Sequence, residues 1–320
     1  SLTGAPYAGT TGTNACKANA AAAAPFNATN AITGYTDDCN GTITAELTNT
    51  VVTGTDCSWT VTYTFSVKDV CNNTLTNQTY SNTGSDQTAP SLSGAPYAGT
   101  TGTNACKADA ATAAPFNATN AITGYTDLCG GSVTATLTDT QVTGTDCNWT
   151  VTYTFTVKDA CNNALTGQTY SNTGSDQTIP VWTTAAGGLD ITKQCSDAAG
   201  IAAAQAMFPV ASDNCDADVT NIVKTSGAFV AGSCTEAGTY TNTWVVTDAC
   251  GNTSAVFTQV ITIIDNTPPS WTTAAGLLNV TKQCSDAAGI AAAQAMFPTA
   301  TDNCDVNVSN IVKTSGAFVA

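Results

Sequence analysis

Strict alternation is the clearest signal in this chain. In Trp59-Thr60-Val61-Thr62-Tyr63-Thr64-Phe65-Ser66-Val67-Lys68 the large apolar residues hold the odd positions and hydroxyls the even ones. That is the period of a strand with one buried and one wet face. Tyr240 to Asp248 gives a matching strand, with Trp244 in the place of Phe65. Asp248-Ala249-Cys250-Gly251-Asn252 then reads as a turn and Ser254 to Ile264 as the return strand of a hairpin. Thr42 to Leu47, Val133 to Leu137 and Val219 to Val223 predict further strands. Trp59, Trp149 and Trp244 fall on the apolar faces of their strands and are assigned to the core. One helix is expected, Ala198 to Met207, capped by Ser196-Asp197 and stopped by Pro209, with Gly200 its weak point.

These patterns recur because the chain repeats itself. Residues 1–90 and 91–180 align without gaps and differ at 16 positions, while 270–320 match the first 51 positions of 181–269 with 9 differences. We call the first kind type A and the second type B. The expected domains are therefore 1–90, 91–180, 181–269 and 270–320, the last cut short, as in a window taken from a longer array. An export signal, if there is one, is expected outside the window. Asp86-Gln87-Thr88-Ala89-Pro90, Asp176-Gln177-Thr178-Ile179-Pro180 and Asp265-Asn266-Thr267-Pro268-Pro269 join the copies. Each is brief and ends in Pro, so the joints are expected to be stiff and the array rod-like. Repeats of about 90 residues with short strands and frequent turns predict an all-β fold of tandem immunoglobulin-like sandwiches.

Composition narrows the chemistry. Charged residues are 10% of the 320, all eight bases are Lys, and there is neither His nor Arg. No imidazole is present to serve a Ser-His-Asp or Cys-His pair, and no guanidinium fork to hold phosphate. A net charge of −15 repels nucleic acid and anionic membrane faces. No apolar run is long enough for a membrane span. We therefore expect no enzyme and no required cofactor.

Fourteen cysteines stand in periodic positions, four per complete repeat, with no Cys-x-x-Cys spacing. Disulfides in an oxidising, extracellular setting are the expectation. Four cysteines allow three pairings within a repeat. Strand order favours the first with the third and the second with the fourth: Cys16 with Cys57, Cys39 with Cys71, Cys106 with Cys147, Cys129 with Cys161, Cys195 with Cys234, and Cys215 with Cys250. That scheme leaves Cys284 and Cys304 alone, whereas a first-with-second pairing would join them.

Val246-Thr247-Asp248-Ala249-Cys250-Gly251-Asn252-Thr253, Ala211-Ser212-Asp213-Asn214-Cys215 and Asp265-Asn266-Thr267-Pro268-Pro269 resemble hyalin-repeat (HYR-like) immunoglobulin-like domains. The likeness is to those of large secreted Bacteroidetes surface adhesins, including gliding-motility adhesins. Type A resembles them more loosely, through Asp37-Asp38-Cys39 and Lys68-Asp69-Val70-Cys71-Asn72-Asn73. The resemblance implies secreted tandem sandwiches with an adhesive or structural role and names no ligand.

Clustered oxygen donors make calcium a candidate at Asp213, Asn214, Asp216, Asp218, Asp248 and Asp265. The competing reading is that these residues form Asx turns. Three functions remain: a disulfide-stapled stalk or filament of an adhesin, a glycan- or calcium-dependent ligand-binding array, and the spacer of a secreted enzyme. The expected partners are neighbouring repeats of the same long chain, with surface glycans or another cell-surface protein as further candidates.

Overall fold

A computed structural model describes residues 1–319. The chain forms two compact units, Ser1–Asp176 and Gln177–Ala320. It is mostly β, at 37% strand and 12% helix, as the alternation predicts.

In the first repeat, β1 (Thr13–Asn14), β2 (Thr44–Thr55), β3 (Ser58–Lys68) and β4 (Thr74–Ser85) form one sheet in the order β1-β4-β3-β2. Strands β2, β3 and β4 are an antiparallel meander, while β1 lies parallel to β4 with Thr13 opposite Gly84. The apolar face of β3 is buried as its period requires, with Trp59, Val61, Tyr63, Phe65 and Val67 all at most 6% exposed. A Cβ on Gly84 would sit 2.3 Å from the Trp59 ring, so glycine is what lets β4 close over the indole. The indole N–H donates to Ala15 O at 2.7 Å.

The layer covering this sheet is not a second full sheet. It is the N-terminal part of the repeat, wound into the short helices Ala20–Ala23 and Ala28–Ala31. Phe26, between them, stacks on Tyr80 at 5.8 Å and meets Tyr63 at 5.7 Å. The Tyr63 hydroxyl donates to Ala24 O, and Tyr80 accepts from Asn27 N. Burial pushes both phenols above their ordinary pKa. These helices correct the expectation of a single helix in the chain. A four-residue turn shows no amphipathic period, and its start rests on one local contact, the Asn27 side chain accepting from Asn30 N at 2.9 Å.

The second repeat copies the first. A two-stranded ribbon, β5 (Ser91–Leu92) with β7 (Tyr125–Thr126), joins its covering layer. Its main sheet holds β6 (Thr103–Asn104), β8 (Thr134–Thr145), β9 (Asn148–Lys158) and β10 (Ala164–Ser175) in the order β6-β10-β9-β8. Strands β2 and β8 run about twice as far as expected from Thr42–Leu47 and Val133–Leu137. A bulge after Leu47 and after Leu137 shifts the register, so the alternation breaks although pairing continues.

In the second unit, β11 (Val181–Trp182) pairs β13 (Ala211–Ser212). The main sheet runs β12 (Ile191–Gln194), β17 (Phe257–Ile264), β16 (Gly238–Val246) and β14 (Ile222–Ser226), with β15 (Val230–Ala231) also on β16. Trp244, Val246, Phe257, Ile261 and Ile263 are buried in it. The expected helix is present at Ala198–Gln205, capped by Asp197, whose carboxylate accepts from Gly200 N at 2.9 Å. Gly200, the suspected weak point, is part of the cap, because a Cβ there would lie 1.9 Å from that carboxylate. Trp182 packs on Phe257 of its own repeat at 5.5 Å and donates to Ala255 O, and Trp271 is 62% exposed.

Candidate functional site: the joint between repeats

Every complete repeat carries the sequence Asp-x-Cys-x-Asn after its central strand, and the carboxylate builds the turn that presents the cysteine. Asp159 Oδ1 accepts from Cys161 N and Asn163 N, and its Oδ2 accepts from Asn163 Nδ2 at 2.7 Å. Asp69 does the same for Cys71 and Asn73, and Asp248 for Cys250 and Asn252. A second Asp-x-Cys turn precedes the long strand. Asp127 accepts from Cys129 N, Asp213 from Cys215 N and Asp302 from Cys304 N, at 2.9–3.1 Å.

The second and fourth cysteines of a repeat therefore sit on two carboxylate-built turns. In the second repeat Cys129 and Cys161 line one cleft of about 210 Å³. Across that cleft lie Asp56 and Cys57 of the first repeat and Asp86 of the linker. The first and third cysteines share the opposite end: Lys17 N, next to Cys16, donates to the side chain of Asp56, next to Cys57.

The bonds cross the joint. Cys16 is bonded to Cys129 and Cys57 to Cys161, with Cα separations of 5.1 and 4.9 Å, and in the second unit Cys195 is bonded to Cys304. Cys106, Cys147, Cys215 and Cys250 are disulfide-bonded as well. Cys39, Cys71, Cys234 and Cys284 are free and exposed. This corrects the expected pairings Cys16 with Cys57, Cys39 with Cys71, Cys129 with Cys161 and Cys195 with Cys234, and the alternative of Cys284 with Cys304. Strand order groups the cysteines at the correct ends of the repeat. The error lay in pairing within each end: the first and third cysteines reach the following copy and the second and fourth the preceding one.

The linker between the two A repeats is tied down along its length. Asp86 N donates to Asp56 O, Gln87 N to Asn14 Oδ1, Thr88 N to Asp86 Oδ1, and Asn163 Nδ2 of the following repeat to Asp86 O. Pro90 is buried.

Four carboxylates gather around the two bridges: Asp56, Asp86, Asp127 and Asp159. Asp127 Oδ1 is buried without a hydrogen-bond partner. Desolvation, then repulsion from Asp86, raises the Asp127 pKa, and Asp159 adds to the repulsion. The residues suggested for calcium are arranged differently. Asp213, Asp216 and Asp265 are engaged in Asx turns through Cys215 N, Asp218 N and Thr267 N, and Asp248 accepts three hydrogen bonds in its own turn. Asp216, Asp218 and Asp248 join no group of three ligating side chains among the described residues. Asn214 stands in the same Asx loop, exposed.

No family model matches the chain, and no curated protein matches it. Two solved structures are similar to it in part. One is Drosophila N-cadherin EC1-4, at 10% identity and TM-score 0.31, covering 71% of this chain and 67% of that one. The other is the sialic acid binding region of a Streptococcus sanguinis SK1 adhesin bound to 3'sLn, at 14% identity and TM-score 0.20, covering 64% of this chain and 56% of that one.

Proposed function

We propose that this chain is a segment of an extracellular repeat array that serves as a stiff, non-enzymatic stalk or filament of a large bacterial surface adhesin, of the hyalin-repeat kind. The observation carrying this reading is the pair of bridges from one A repeat to the next, Cys16–Cys129 and Cys57–Cys161. Disulfides of this number form and persist outside the cytosol. Their placement serves mechanics. A staple within one repeat protects that repeat, whereas a bolt between repeats protects their connection.

The bolts also limit extension. When the first unit unfolds under tension, the Cys16–Cys129 bond bypasses 113 residues of separation. At about 3.5 Å per extended residue, roughly 400 Å of chain is withheld. Pulling the protein from its two ends, oxidised and then reduced, tests this. The oxidised chain is expected to stop short of the reduced one by at least that length. Equal extensions in the two states would remove the stalk reading.

A further inference from the structure

Cys39 and Cys71 are the only cysteines of the A repeats that stand free among the described residues. They are the counterparts, one repeat earlier, of Cys129 and Cys161, which receive the first and third cysteines of the preceding copy. We propose that the surface around Cys39 and Cys71 is a ready-made acceptor for another repeat of type A, which docks on it head to tail and is bonded through its own first and third cysteines. The inference rests on the stalk reading and extends it to an assembly surface.

The acceptor is already shaped. The Asp69 carboxylate holds Cys71 N and Asn73 N at 2.8 Å each, as Asp159 holds Cys161 N and Asn163 N at 2.8 and 2.9 Å. Asp37 O accepts from Asn40 N as Asp127 O accepts from Gly130 N, while the Asp37 carboxylate closes its loop on Gly41 N where that of Asp127 closes on Cys129 N. A cleft of about 300 Å³ opens here, lined by Asp37, Asp69 and Asn73. Their counterparts Asp127 and Asp159 line the occupied joint, where Asn163 Nδ2 grips the incoming linker carbonyl of Asp86. Asn73 is placed to grip an incoming linker in the same way.

The chain's other two free thiols cannot substitute for such a donor. Cys234 is a third cysteine and Cys284 a first cysteine, but they belong to different repeats. One incoming repeat must present both. Each bond converts two thiols and one oxidised glutathione into one disulfide and two reduced glutathiones. The two electrons and two protons leave with the glutathione.

The test adds a second copy of residues 1–90, with its own second and fourth cysteines replaced by Ser, directly before Ser1 of the full chain, refolds it in a glutathione buffer, alkylates it and maps the non-reduced peptides. In the parent chain Cys39 and Cys71 are expected to alkylate fully. In the extended chain both are expected to be protected, Cys39 bonded to the added first cysteine and Cys71 to the added third. Cys39→Ser in the extended chain is expected to release one thiol, on the added first cysteine, while the Cys71 bond persists. Alkylation of Cys39 and Cys71 in the extended chain, or a Cys39–Cys71 peptide, would overturn the inference. The Cys16–Cys129 peptide in the same digest reports the stalk reading separately: its presence beside free Cys39 sinks the acceptor alone, and its absence sinks both.

Discussion

Replacing Cys57 and Cys161 together by Ser removes one bolt of the first joint and leaves Cys16–Cys129 in place. The loop from Cys57 to Cys161 spans 104 residues. The remaining bond shortens its effective length in the unfolded chain to roughly 60 residues, because Cys57 lies inside the loop that Cys16–Cys129 closes. The chain-entropy relation then gives about 4 kcal/mol for the deleted bridge. The unit Ser1–Asp176 has an unfolding entropy near 370 cal/mol/K at roughly 2.1 cal/mol/K per residue, so its midpoint is expected to fall by roughly 11 °C. Calorimetry on the full oxidised chain measures this.

The same experiment separates a bolt between repeats from a staple within one. With both bridges present, neither A repeat can unfold without dragging on the other, and residues 1–176 are expected to melt as one transition. The double variant is expected to melt over a broader range, while mapped peptides still show Cys16 bonded to Cys129. A midpoint within about 2 °C of the parent, or a variant in which Cys16 carries a free thiol, would refute the reasoning.

Two further outcomes follow from the packing and the charge. Trp59 donates to Ala15 O, but the buried Nε1 of Trp244 has no partner. Trp59→Phe is therefore expected to lose about 2–3 kcal/mol and Trp244→Phe about 1 or less, read as urea midpoints of the two units. Asp127→Asn keeps an acceptor for Cys129 N, offers an N–H in place of the unpartnered Oδ1 and removes the charge that Asp86 repels. It is expected to raise the first unit's midpoint at pH 7 by a few degrees. The sign follows from linkage. The raised pKa of Asp127 means its contribution is fully present below the ordinary carboxylate value of 3.8 and is lost as pH rises through the higher folded value. The gain should therefore vanish on acidification, and a gain unchanged between pH 7 and pH 3 would contradict it.

Periodic features were legible in the sequence. Trp59, Val61, Tyr63 and Phe65 announced a buried strand face through spacing alone, and Asp197 announced a helix cap through its position before Ala198. The covering layer was not legible, because Ala20–Ala23 and Ala28–Ala31 become helical by fitting under Phe26 and Tyr80 rather than by any period of their own. The acids at Asp213 and Asp248 were visible as turn formers and as metal candidates alike, and their hydrogen bonds to Cys215 N and Cys250 N show the turns. The disulfide pattern went wrong through an assumption about scale. Four cysteines per repeat invite closure within the repeat, yet the four left free, Cys39, Cys71, Cys234 and Cys284, obey a rule that runs from one copy to the next.

That rule also explains why covalent bonds are used at these joints. The linker residue Asp86 is 4% exposed and faces Asp127 and Asp159 across the cleft. Both are committed to shaping the cysteine turns, and their charge works against the contact they shape. The clearest direct hydrogen bond from the second repeat to the linker is Asn163 Nδ2 to Asp86 O. A joint built from this bond and repelling carboxylates would open readily, and with 10% charged residues and no Arg the chain has little with which to form compensating ion pairs. Two disulfides hold the repeats together against that repulsion and are indifferent to salt and, short of thiol exchange, to pH. The carboxylates can then be selected for the one thing they do well here, fixing each cysteine where its partner in the preceding copy can reach it.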